Sequence, residues 1–312
     1  MPSQANQPLQ EGSRLENYRV MRLLAAGGFS FVYLAHDENE SPVAIKEYLP
    51  STLALRTNGS PHPKIGEGDA GAFRAGLRCF FEEGRSLAHL SHPNVVRVLN
   101  FFRANETVYL VMRYERGRTL QAHIQQRRGN LEERWIRATF CELLNGLREV
   151  HSSKLLHLDI KPANVYIRND GTPLLIDFGA ARQTLGEEAS KLPPTLTPGF
   201  ASPEQHTRRE ALGPWSDVYC VGATLYACIT GAPPPAADQR LRSDAFVPAR
   251  RAAAGRYSAD LLDTIDACLE LDPLRRPQSG FALQKALRGA PGAERAPIPF
   301  FEQLRTMISG PR

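Results

Sequence analysis

From Tyr18 to Ala35, apolar and polar residues alternate on either side of a small-residue stretch, Ala25-Ala26-Gly27-Gly28. A period of two predicts strands, and the small residues predict the turn of a hairpin. Val43-Ala44-Ile45 reads as a further strand that ends in a cation, Lys46. Two apolar runs between Val95 and Met112 bracket Ala104-Asn105-Glu106 and predict a second hairpin. A third, short one is predicted where Val165-Tyr166-Ile167 and Leu174-Leu175-Ile176 flank Asn169-Asp170-Gly171. The period lengthens in FFEEGRSLAHL, which contains Glu82 and Glu83. It does so again beyond Thr119 in LEERWIRATFCELLNGLREVHSSKLLH, where spacings of three and four predict a long helix. Val218 to Ala237 carries no charge, yet its second half is GAPPPAA, which cannot continue a helix. That run reads as a buried helix ending at Gly231, not as a membrane span.

Between these elements lie three segments without a clear period. Residues 1–17 are polar, lack an apolar signal core and read as a flexible leader. The stretch from Glu47 to Phe73 is rich in Pro and Gly and reads as a long loop. Its 48–72 portion is a candidate surface for a regulator or partner. The tail 289–312 contains an apolar helical stripe, IPFFEQLRTMI, at 298–308. The expectation is that it docks on its own domain, with a partner-binding helix as the alternative.

The 312 residues suffice for one large domain or two lobes around a cleft. Apolar residues make up 42% and charged residues 23%, values of a globular protein rather than a disordered one. The net charge of +5 is scattered in short pairs such as Arg127-Arg128 and Arg250-Arg251. A solvated surface therefore fits better than a nucleic-acid face. Five cysteines, with no CxxC among them, suit reduced thiols in a cytoplasmic protein.

The chemistry concentrates in His157-Leu158-Asp159-Ile160-Lys161-Pro162-Ala163-Asn164 and Asp177-Phe178-Gly179. Asp177 and the Asn164 amide oxygen are hard donors suited to magnesium. Asp159 can accept a hydrogen bond from an incoming hydroxyl, and Lys161 can neutralise a phosphoryl group in transfer. Phosphoryl transfer is catalysed mostly by positioning and charge stabilisation, so few side chains suffice.

These two stretches, in this order and with the strand-like Leu174-Leu175-Ile176 before the second, resemble the catalytic and metal-binding loops of eukaryotic-like Ser/Thr protein kinases. The resemblance covers roughly residues 18–288. It implies an α+β fold of two lobes: an antiparallel sheet plus one helix over 18–112, a hinge at 113–117, and a mainly helical lobe over 118–288. ATP and magnesium would lie between them, and the substrates would be proteins.

Further residues take implied roles on the same footing. Leu24-Ala25-Ala26-Gly27-Gly28-Phe29-Ser30-Phe31-Val32 resembles the family's glycine-rich loop, with Ala25 and Ser30 in place of two glycines and Gly27 and Gly28 kept. Val32, Ala44, Met112, Glu115 in the hinge and Tyr166 would line the adenine pocket. Lys46 would hold the nontransferable phosphates, paired with Glu83 rather than Glu82. Residues 197–204, Thr-Pro-Gly-Phe-Ala-Ser-Pro-Glu, resemble the end of an activation segment, with Glu204 paired to Arg276. Asp217 would hold the catalytic-loop backbone, with a helix N-cap as the competing role. Leu158 stands where most regulated relatives have arginine. Thr184, Ser190 and Thr195 are hydroxyls in the segment, and Arg182 is a candidate phosphate partner. Two other readings remain: a nucleotide-binding pseudokinase scaffold, favoured by Ala25 and Ser30, and a small-molecule kinase, disfavoured by the complete activation segment.

Overall fold

Alternation builds the first layer. In β3, Ser30–His36, every second side chain is buried, and Phe31, Tyr33 and Ala35 form the inward face. Around it the chain forms an antiparallel sheet from β1 (Arg14–Leu15), β2 (Tyr18–Ala26), β3, β4 (Pro42–Tyr48), β7 (Val98–Ala104) and β8 (Thr107–Arg113), in the order β1-β2-β3-β4-β8-β7. The computed structural model describes residues 6–57, 60–178, 196–207 and 211–289. Arg182, Thr184, Ser190, Thr195 and the apolar stripe at 298–308 lie outside the described residues.

In β4 alternation gives way to near-continuous burial, because both faces are covered. One face is packed by α1, Ala70–Ala88, whose buried side is Phe73, Gly76, Phe80, Glu83 and Leu87. That spacing follows the helical period. The helix thus begins well before FFEEGRSLAHL. The two glycines of AGAFRAGL hide the period, and Gly76 is there to admit Tyr48: a β-carbon at Gly76 would stand 1.9 Å from the Tyr48 hydroxyl.

Two expectations need correction here. Residues 6–17 are not a flexible leader. Leu9 is buried, β1 pairs with β2, and the Asn6 side chain exchanges hydrogen bonds with Ala54 and Arg56 across the lobe. Nor is 48–72 an unstructured loop. Strands β5 (Ala54–Leu55) and β6 (Lys64–Ile65) pair within it, its last residues already belong to α1, and Arg56 is buried. The polar composition of both segments misled because their polar groups are satisfied by one another.

The second lobe is helical. It contains α2 (Leu120–Arg127), α3 (Glu133–Ser152), α4 (Pro203–Thr207), α5 (Pro214–Thr230), α6 (Ala237–Arg242), α7 (Ala249–Ala252), α8 (Ala259–Cys268) and α9 (Gly280–Arg288). A small sheet of β9 (Gly117–Thr119), β10 (Val165–Arg168) and β11 (Pro173–Leu175), in the order β11-β10-β9, caps it on the side of the first lobe. Helix α5 is buried from Ser216 to Ile229 and forms the centre of the lobe, with α8 and α9 packed around it. It ends where Gly231 turns left-handed at φ 85°. Among the described residues no helix is long and apolar enough to cross a membrane.

Candidate active site

Strand register puts the cleft-facing residues on one side of the sheet. Val32 lies opposite Lys46, Ala44 opposite Met112, and Lys46 opposite Leu110, so Val32, Ala44, Lys46 and Met112 share a face. The turn between β2 and β3 carries Gly27 and Gly28. The Gly27 amide donates to the Ser30 carbonyl, closing it, and Ala25 pairs with Val32 in the ladder just past a shift of register at Leu24. A methyl at position 25 is therefore accommodated in β geometry, and Leu24 precedes it in the same strand.

Lys46 is nearly sealed from solvent and sits between two carboxylates. Its Nζ lies 2.7 Å from Asp177 Oδ1 and 3.7 Å from Glu83 Oε1, with the Phe80 ring 5.2 Å away. Glu82 is half exposed and faces Arg85 instead. Asp177 arrives from the other lobe with φ 60°, and Leu158 beside Asp159 has φ 61°. Left-handed backbone at non-glycine residues is costly and persists only where neighbours fix it.

At Leu158 those neighbours are explicit. The buried Asp217 accepts the Leu158 amide at 2.7 Å, the His157 amide at 2.9 Å and His151 Nε2 at 2.8 Å. Gln205 Nε2 donates to the Leu158 carbonyl at 2.9 Å. The N-cap of α5 is Gly213, so Asp217 is not the cap. Burial alone would raise the Asp217 carboxyl. The bond and charge of His151, with the His157 amide, hold it below its ordinary value. His157 also packs its ring against Phe178, centroids 4.3 Å apart, and so ties the two catalytic stretches together.

Asp159 collects three donors. Asn164 Nδ2 donates to Oδ2 at 2.9 Å, Lys161 Nζ lies 2.8 Å from the same oxygen, and the Thr197 hydroxyl donates to Oδ1 at 2.7 Å. Lys161 also donates to the Thr197 oxygen at 2.8 Å. With its amide nitrogen spent on Asp159, Asn164 keeps its oxygen as the metal-competent end. Asp177, 43% exposed, offers a carboxylate. Two hard oxygen donors, with no cage of three or more His, Cys, Asp or Glu among the described residues, suit a magnesium ion that takes its remaining ligands from phosphate and water.

Tyr166 is half-buried beneath the hinge, and its hydroxyl donates to the Glu115 carbonyl at 3.3 Å. The Glu115 carboxylate is held by Arg168 at 2.9 Å. Farther out, Glu204 receives both guanidinium nitrogens of Arg276, at 2.8 and 3.0 Å, and the Ser216 hydroxyl at 2.7 Å. The remaining Arg276 donors go to the Glu270, Trp215 and Leu271 carbonyls. Sequence reasoning missed His151, Gln205 and Arg168. Each acts through a contact made only when distant elements pack, and none lies in a recognisable motif.

The protein kinase domain family matches residues 18–287. Serine/threonine-protein kinase C of Synechocystis sp. is 30% identical over 87% of this chain and 49% of its own length. Serine/threonine-protein kinase PknA of Nostoc sp. is 30% identical over 87% of this chain and 47% of its own. The chain thus spans about half the length of the curated relatives it matches. A solved structure titled PpkA-294, apo form, superposes with a TM-score of 0.81 at 36% identity, covering 90% of this chain and 99% of that one. With a two-lobed fold, a cleft that gathers the expected side chains and relatives that agree along nearly its whole length, this chain belongs to the protein kinase family, in its serine/threonine branch.

Proposed function

We propose that the cleft transfers the γ-phosphoryl group of ATP, with magnesium, to Ser or Thr hydroxyls of protein substrates. The observation that carries this reading is the contact set of Thr197. An aliphatic hydroxyl already donates to Asp159 Oδ1 while Lys161 donates to its oxygen, the same contacts an acceptor hydroxyl would need. Asp159 would orient the attacking oxygen and accept its hydrogen bond. Lys161 would offset the charge on the transferred group. Lys46, fixed by Glu83, would hold the nontransferable phosphates. The turn Leu24–Ser30, with Val32, Ala44, Met112, the Glu115 backbone and Tyr166, would enclose the nucleotide. Asn164 and Asp177 would hold magnesium, which when bound neutralises phosphate charge. The five free cysteines fit work in the reducing cytoplasm.

The test is transfer of label from ATP to a generic basic protein. Asp177→Ala, which removes a metal ligand together with the ion pair to Lys46, is expected to abolish turnover while the protein still melts cooperatively. Near-wild-type turnover by that variant would remove Asp177 from the metal site, and a wild type that transfers no label would remove the enzymatic reading in favour of a nucleotide-binding scaffold.

A further inference from the structure

The residue after Lys46 points the opposite way. Glu47 is 0% exposed and lies on the back of β4, where the register sets it opposite Phe31 on one side and Tyr109 on the other. A carboxylate taken this far out of water requires full compensation. It receives Arg56 Nη1 on Oε1 at 2.6 Å and Arg56 Nη2 on Oε2 at 2.7 Å, a two-pronged pair. The Tyr33 hydroxyl donates to Oε2 at 2.7 Å and the Tyr109 hydroxyl to Oε1 at 2.8 Å. Arg56 is 1% exposed. Its Nε donates to the Gln7 carbonyl at 2.8 Å, and its amide to the Asn6 side chain at 2.5 Å. Burial alone would lower the guanidinium's affinity for its proton, but Glu47 more than offsets this and holds it charged.

Glu47 and Arg56 are the two ends of a loop, and the middle of that loop touches the glycine-bearing turn. The Leu49 amide donates to the Phe29 carbonyl at 2.9 Å. The Ser51 amide and hydroxyl both donate to the Gly28 carbonyl, at 2.8 and 3.1 Å. The pair therefore closes a brace whose root is the strand carrying Lys46 and whose crest holds the turn expected to cover the phosphates. A purely stabilising role is weakly supported by such chemistry, because a buried ion pair is often no more stabilising than apolar residues of the same shape.

We infer that Glu47 and Arg56 are positioning residues for nucleotide: the pair closes loop 47–56 so that Lys46 and the turn at Gly27-Gly28 are held in one fixed relation. The proposal rests on the kinase reading of the cleft. It also assigns the 47–56 part of the segment an internal role instead of a docking one.

The test compares wild type with Glu47→Gln/Arg56→Met, which removes both charges yet leaves an amide to meet the two tyrosine hydroxyls. Melting temperature, magnesium–ADP affinity by calorimetry, and KM for ATP and for a protein substrate are measured on each. A positioning role predicts a melting temperature near that of wild type, ADP affinity and KM for ATP weakened about tenfold, the equivalent of about 1.4 kcal/mol, and an unchanged KM for the protein. Arg56→Lys keeps the charge but not the fork. It is expected to melt like wild type and to weaken nucleotide by several-fold, and it serves if the double variant does not fold. Unchanged nucleotide affinity in either folded variant would overturn the inference, as would losses for ATP and protein that simply track melting temperature. A wild type that binds ADP without transferring phosphate would instead remove the transfer reading and leave the brace to be judged on affinity.

Discussion

Neighbouring glutamates on α1 meet opposite fates. Glu83 is 1% exposed beside Lys46, while Glu82 is 48% exposed beside Arg85. Removing the charge of the buried member takes away one of the two carboxylates beside Lys46, so Glu83→Gln is expected to lower kcat/KM about tenfold or more. Glu82→Gln should change stability by no more than about 0.5 kcal/mol and activity hardly at all. Parallel kinetics of the two variants check this, and equal losses would refute the assignment. The choice of Glu83 came with the resemblance, in which Ser91-His92-Pro93-Asn94 aligns with the turn that follows the family's helix. The partners of Asp217 were not legible in the sequence. Its place one turn into α5 was open to a capping role, and only the packing of α3 against α5 brings His151, 66 residues away, onto the same carboxylate. Arg56 was hidden for a similar reason, since a lone arginine among Pro, Gly and Ser reads as solvated until its partner strand is known.

At the scale of elements, the placement of α1 depends on a missing side chain. Gly76 lets the helix lie directly on Tyr48, whose ring packs between Phe73 and Phe80. Alanine is better than glycine in a helix by about 1 kcal/mol, so helix propensity alone predicts that Gly76→Ala stabilises. The added carbon would stand 2.6 Å from Tyr48 Cζ, in a buried ring that cannot swing aside. Overpacking should win by about 1–3 kcal/mol. The expected result is a lower melting temperature together with reduced activity, because the same helix carries Glu83. A second element-scale tie joins α4 to the turn Pro273–Arg275 through Glu204 and Arg276. Burial pushes the Glu204 carboxyl up, but the Arg276 bonds and charge and the Ser216 hydroxyl prevail and hold it below the ordinary glutamate value. The folded state thus binds this proton less readily than the unfolded chain. The contribution is complete above the ordinary glutamate range and is lost as pH falls through the lowered value. Arg276→Met should cost about 3–5 kcal/mol near neutral pH. Its deficit against wild type in thermal melts should shrink steadily as the pH is taken below 4.5, the ordinary glutamate value.

For the whole molecule, Lys46–Asp177 is one tie between the lobes, with Asn94 and Val96 bonded to Pro173 and Leu175 as others, and α5 holds the catalytic loop from beneath through Asp217. Leu158 is 2% exposed with its amide on Asp217 and its carbonyl on Gln205, so that position offers no donor to a phosphate. The backbone of the catalytic loop at His157 and Leu158 is held by the buried Asp217 and Gln205. Phosphatase treatment, verified by mass spectrometry, is accordingly expected to change the initial rate by less than about tenfold, or about 1.4 kcal/mol. A larger fall would implicate Arg182 or another cation as a phosphate receptor. The two-lobed plan and the cleft residues were readable because motifs fix both residue type and order. The packing of residues 6–17 was not, since polar chain that satisfies polar chain leaves no periodic trace. The Glu47 cluster also bears on the order in which the lobe can be completed during synthesis. Asn6 waits for Ala54 and Arg56, 48 and 50 residues later, and Glu47 waits 62 residues for Tyr109. A nascent chain that has delivered only β2, β3 and β4 therefore displays an acidic group on what should be its inner face. It cannot complete the partners of that group until Arg56 and then β8 have left the ribosome, so this face of the lobe is finished late and not strand by strand.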